Sequence, residues 1–179
     1  MYDRFRRAQR FRKMSTRNFL KCSCLVLLAS GLAAHADTED GAKAIQQGQF
    51  EEAFSEWQPL AEKGEPAAQA AIGVMYHAGQ GVPQDYKKAF QWYRRAAENG
   101  NAASQANLGV MYAKGVGVER DLVKAYVWFD LAAMNGDPRH GRSRDRLAKQ
   151  LSSEQLAQAR REAKEYAAKY VTPFRKAAP

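Results

Sequence analysis

From Ala67 onward, apolar and small residues recur at the three- and four-residue spacing that puts them on one face of a helix. Ala70, Gly73, Val74 and the neighbours of Tyr76 carry this pattern over Ala67–His77. Gly79-Gln-Gly81-Val-Pro83 interrupts it, and Asp85 is placed to cap a second helix from about Tyr86 to Asn99. In that helix Ala89, Trp92 and Ala96, with Phe90 or Tyr93, fall on the packed side, and Gly100 ends it. The same sequence of signals then returns at Gly115, Gly117, Asp121, Ala125, Trp128, Ala132 and Gly136. Residues 66–100 and 102–136 align without a gap at a 36-residue step, with 18 of 35 positions identical, every glycine among them. One step earlier, Ala53, Trp57, Ala61 and Gly64 pair with Ala89, Tyr93, Ala97 and Gly100, so a half-repeat precedes the two full units. Glycine inside a helix costs about 1 kcal/mol against alanine. Its reuse at Gly73 and Gly109 predicts two sites of close helix approach.

Past Gly136 the pattern degrades: Arg144 stands where Leu108 would be and Asp145 where Gly109 would be. Ser152-Ser-Glu-Gln155 offers a capping box for a last helix to about Tyr170, with Leu156, Ala159, Ala163, Tyr166 and Ala167 as its stripe. A helix stack needs atypical ends to cover its apolar faces. Residues 137–171 are therefore expected to be a capping helix pair, 37–65 the N-terminal half-repeat or cap, and 172–179 a tail.

Charge changes the picture chiefly at the start. The chain carries a formal net charge of +9. Residues 1–21 hold eight basic groups against Asp3, and residues 22–36 hold no Lys, Arg, Asp or Glu. From Asp37 on, 20 basic groups face 18 acidic ones. The apolar run Cys22–Ala34 is 13 residues long, whereas a helix needs roughly 20 to cross a bilayer. With Ala34-His35-Ala36 before acidic Asp37, this reads as a secretory signal peptide over 1–36, cut after Ala36. Starting at Met14 gives a 23-residue signal of usual size. Ser15–Lys21 resembles a twin-arginine export signal with Thr16 in place of the first arginine. Without that pair, unfolded export is expected. Cys22 and Cys24 are the only cysteines and precede the cut, so the exported chain has no thiol. A periplasmic or secreted bacterial protein follows.

The run Leu108-Gly-Val-Met-Tyr112, Gly115-x-Gly-Val118, Asp121, Lys124-Ala125, Trp128, Ala132-Ala133 and Gly136 resembles the Sel-one-like repeat, a relative of tetratricopeptide repeats. Ile72-Gly-Val-Met-Tyr76 through Gly100 is similar to it as well, and the likeness spans roughly Ala42 to Gly136. The resemblance implies an all-α, right-handed α-solenoid that binds a protein or peptide partner, with no shared catalytic residues. A cysteine-rich branch of the family staples each repeat with a disulfide, and this chain departs from that branch.

Candidate chemistry is sparse. His77 and His140 form no ligand pair, and no metal or cofactor is expected. Neither Gly79-x-Gly81 nor Gly115-x-Gly117 follows a strand or continues as a phosphate loop. Hydrolase motifs are absent after Ala36, so no enzyme is expected. The periodic aromatic set Trp57, Trp92, Trp128, Tyr76 and Tyr112 reads as packing. In related repeats the first helices line a groove. Its less packed positions here are Gln69, His77, Gln105, Asn107 and Lys114, with Arg144 following on the cap. Arg139, Arg142, Arg144, Arg146 and Lys149 form a basic patch. The patch suits a solvated cap, or contact with an acidic partner or weakly with an anionic membrane surface. The leading expectation is a monomeric or weakly oligomeric exported interaction module that does not bind nucleic acid. A cell-wall or β-lactam-acting hydrolase and a membrane-surface structural protein are the alternatives.

Overall fold

The computed structural model describes residues 39–174. The expected signal segment with Met14, Cys22, Cys24, His35 and the Ala36 cut lies outside the described residues, as does 175–179 of the tail. Among the described residues the chain is all helical: α1 Glu39–Gln46, α2 Phe50–Glu62, α3 Pro66–Ala78, α4 Tyr86–Glu98, α5 Ala102–Lys114, α6 Leu122–Ala133, α7 Pro138–Ala148 and α8 Ser153–Tyr170. A 3-10 turn, Thr172–Phe174, follows.

Local chemistry sets these boundaries. Asp85 and Asp121 each accept the backbone N–H three residues on, at 3.0 Å, and so open α4 and α6. Asn101 does the same for α5 at 2.8 Å, and Pro66 and Pro138 occupy the first turns of α3 and α7, where no N–H is needed. Gly79 and Gly115 end α3 and α5 in the left-handed region, at φ 68° and 69°. Ser152 and Gln155 close the expected capping box of α8.

Each helix from α1 to α6 packs against the next, as an α-solenoid requires. The close approaches expected at Gly73 and Gly109 are present. A Cβ on Gly73 would lie 2.7 Å from the Tyr93 ring, and one on Gly109 would lie 2.8 Å from that of Phe129. Gly41 of α1 meets Trp57 of α2 in the same way. Contacts between repeats recur too: Gly81 lies against the Phe50 carbonyl, and Gly117 against that of Tyr86. Ala53, Trp57, Ile72 and Met75 centre one apolar cluster; Tyr93, Leu108, Met111, Trp128 and Leu131 centre the next. Trp57 and Trp128 are core residues, as the periodicity implies. Trp92 is only half-buried, with the Arg95 guanidinium 4.7 Å over its ring.

The last two helices have an arrangement the repeat period does not contain. α7 packs on α6, but α8 turns back across α6 and reaches α4. Tyr166 meets Trp128 edge-on with centroids 5.6 Å apart, and Tyr170 stacks on the same indole at 6.1 Å. Ala159 and Ala163 are fully buried beneath. Residues 172–174, expected in a tail, form the 3-10 turn, and Phe174 lies against Gly100.

Candidate functional site

The structure divides the expected groove residues into two kinds. Gln69 and Gln105 are buried, at 4% and 0% exposure, so neither can meet a partner. The Gln69 amide donates to the Ala61 carbonyl at 3.1 Å, and that of Gln105 to the Ala97 carbonyl at 3.2 Å. Ala61 and Ala97 stand near the ends of α2 and α4, where the last carbonyls lack intrahelical donors. Each glutamine therefore clamps one repeat onto its predecessor. Asn99 adds a 3.2 Å bond to the Gln69 side-chain oxygen. This corrects the expected groove role of Gln69 and Gln105. The signal was available, since a polar residue kept identical in both copies follows the pattern of packing positions.

His77, Asn107 and Lys114 remain at the surface of the first helices. His77 is half-buried, edge-on to Tyr86 at 5.2 Å and tilted against Tyr93 at 6.2 Å. Its Nδ1 has no hydrogen-bond partner among the described residues. Burial holds the imidazole below its ordinary pKa, and the nearby Lys114 ammonium adds to the effect. His77 closes one first helix and Lys114 the next, so the two repeats bring them into electrostatic reach. At these positions the copies differ: Ala113 answers His77, and Ala78 answers Lys114.

Arg144 is not free for a partner. It bonds Asp130 of α6 and Asp145 of its own helix, each at 2.8 Å, and both carboxylates raise its pKa. It thereby pins α7 to α6. Arg139 is paired with Asp137 at 2.6 Å, which holds that carboxyl far below the usual range. Of the expected basic patch, Arg142, Arg146 and Lys149 are exposed and unpaired among the described residues. Among the described residues no group of three His, Cys, Asp or Glu side chains could hold a metal ion, and no helix is long and apolar enough to cross a membrane.

The arrangement supplies a scaffold of repeated clamps with a variable polar surface. Residues 66–101 and 102–137 each match the Sel1 repeat. A protective antigen of uropathogenic Escherichia coli strains, solved as a crystal structure displaying an SLR fold, is 33% identical with a TM-score of 0.73. That match covers 80% of this chain and 33% of the antigen. The crystal structure of a Sel1 repeat protein from Oxalobacter formigenes is 32% identical with a TM-score of 0.59, covering 73% of this chain and 55% of its own. The chain thus spans a third of the first protein's length and just over half of the second's. No curated protein matches it.

Proposed function

From the premise that the chain carries two Sel1 repeats, we propose that it is an exported, non-catalytic module that holds a protein or peptide partner on its first-helix face. Sel1-repeat proteins generally mediate protein–protein interaction, and the two matched repeats support that coarse role for this chain. The observation supporting the finer reading is where the two copies agree and where they diverge. They keep identical residues where helices clamp together, at Gly73 and Gly109 and at Gln69 and Gln105. They diverge at the neighbouring surface pair His77 and Lys114. A scaffold held constant beneath a differing surface suits recognition of one asymmetric partner.

His77 offers the exposed part of its half-buried ring, Asn107 an amide and Lys114 a cation. A short segment presenting an acceptor and an acidic group would complement them. The test is site-specific photocrosslinking from Asn107 in cells, with envelope proteins as the captured population. A discrete adduct that weakens severalfold with Lys114→Glu is expected. An adduct pattern unchanged by Lys114→Glu, or the absence of any adduct, removes this face as the binding surface.

A further inference from the structure

α8 occupies a seam between two second helices, and the 36-residue step generates the same seam once more, without an occupant among the described residues. In the filled seam, between α4 and α6, Tyr166 and Tyr170 cover Trp128. The Tyr170 carbonyl accepts from Gln105 at 3.5 Å, and Phe174 lies on Gly100. One repeat earlier the corresponding positions are Trp92, Gln69 and Gly64, between α2 and α4. A Cβ on Gly64 would meet nothing within 4 Å, where its counterpart Gly100 carries Phe174. Trp92 is half-buried under its own Arg95, where its counterpart Trp128 is sealed.

The floors of the two seams are nearly the same. Tyr76 meets Phe54 edge-on at 5.7 Å beneath Lys88, and Tyr112 meets Phe90 at 5.4 Å beneath Lys124. The walls differ. Where α6 presents Val123, Val127 and Leu131 toward α8, the matching positions of α4 are Lys87, Gln91 and Arg95, all exposed. The open seam therefore has an aromatic floor and a cationic α4 wall in place of the aliphatic α6 wall, while its α2 wall carries Glu62 where the filled seam has Glu98 beside Lys169. α8 of a second copy is a poor occupant, since leaving its own seam would uncover an aliphatic wall in order to cover a charged one.

We infer that the seam between α2 and α4 docks an acidic amphipathic helix of a partner protein. Its small and aromatic residues lie over Tyr76, Phe54 and Trp92, as those of α8 lie over Trp128. Its carboxylates face Lys87, Lys88 and Arg95. Steering by these cations raises the association rate and selects against basic helices. The seam uses none of the residues His77, Asn107 and Lys114, so it stands whether or not the first-helix face binds.

Two labelled peptides test this. One has the 153–170 sequence, and the other has the same sequence with Arg160→Glu, Arg161→Glu and Lys164→Glu, keeping Lys169 for Glu62, the counterpart of its neighbour Glu98. In fluorescence anisotropy at low salt, the acidic peptide is expected to bind at least about tenfold more tightly. High salt should erase the difference. Lys87→Glu with Arg95→Glu should lower acidic-peptide affinity by about tenfold or more. Gln91→Arg should raise it, which keeps the test decisive if the double variant folds poorly. Lys114→Glu should leave it unchanged. Hydrogen exchange should show new protection in α4 near Trp92. Equal affinity for the two peptides, indifference to both α4 variants, or protection confined to α6 around Trp128 would each overturn the inference.

Discussion

At Gly109 the space for a side chain is already taken by the Phe129 ring, 2.8 Å from where a Cβ would sit. Gly109→Ala forces either the ring or α5 to shift, and overpacking of this kind costs about 1–3 kcal/mol. Urea denaturation should show that loss, even though alanine is the better helix former. His77 gives a pH-dependent counterpart. Its folded pKa lies below the unfolded value, so above the unfolded pKa both states are neutral and pH has no effect through this group. As pH falls through the unfolded pKa of about 6.5, the unfolded chain takes up a proton that the folded chain resists, and stability declines. His77→Ala, which installs the residue of the second copy, should flatten the fall in Tm between pH 7.5 and pH 5. An unchanged slope would mean that the site between Tyr86, Tyr93 and Lys114 accepts the charge without penalty.

At the scale of elements, α8 depends on its start. Ser152 accepts from the Gln155 N–H at 3.2 Å, and Gln155 returns a bond to the Ser152 N–H at 3.0 Å. Ser152→Ala should cost about 1 kcal/mol, and in thermal melts the loss should appear alongside greater solvent access of Trp128 by fluorescence. The elements also show what could be read from the chain. α3 to α6 and their caps were legible because Asp85, Asp121 and the paired glycines recur at one period, and recurrence cancels the ambiguity of any single residue. The pairing of α1 with α2 escaped that period, because only three residues, 47–49, join them where seven, 79–85, join α3 and α4. Gly41 therefore meets Trp57 at a separation of 16, not the 20 of Gly73 and Tyr93. The return of α8 over α6 was not legible either. Its stripe of Leu156, Ala159, Ala163 and Tyr166 announces a buried face without saying which neighbour buries it. At the candidate site, polarity alone points to Gln69 and Gln105 as contact residues, whereas their exact recurrence in both copies marks packing positions.

At the scale of the molecule, successive helices among α1 to α7 contact one another, so their stability is a sum of local terms and junctions. α8 is the exception, since it crosses from the last unit back to α4. Ending the chain at Gln150 should expose Trp128, Val127 and Leu131 together. We expect a red-shifted tryptophan emission and a transition that becomes less cooperative, with the α2–α3 end melting separately. A truncated chain that keeps a single sharp transition at the original Tm would show that α8 is dispensable for cohesion.

The amide clamps also fix the phase in which this protein can grow. A tandem copy of 66–101 spliced in after Asn101 would deliver a new glutamine to the waiting Ala97 carbonyl. It would also offer its own alanine carbonyl to Gln105, so both joints close without any new chemistry. A splice in another phase would strand a glutamine inside, with no carbonyl to reach. The array is thus extensible by whole units and intolerant of fractions, and the length of the surface it displays can change in steps of one helix pair.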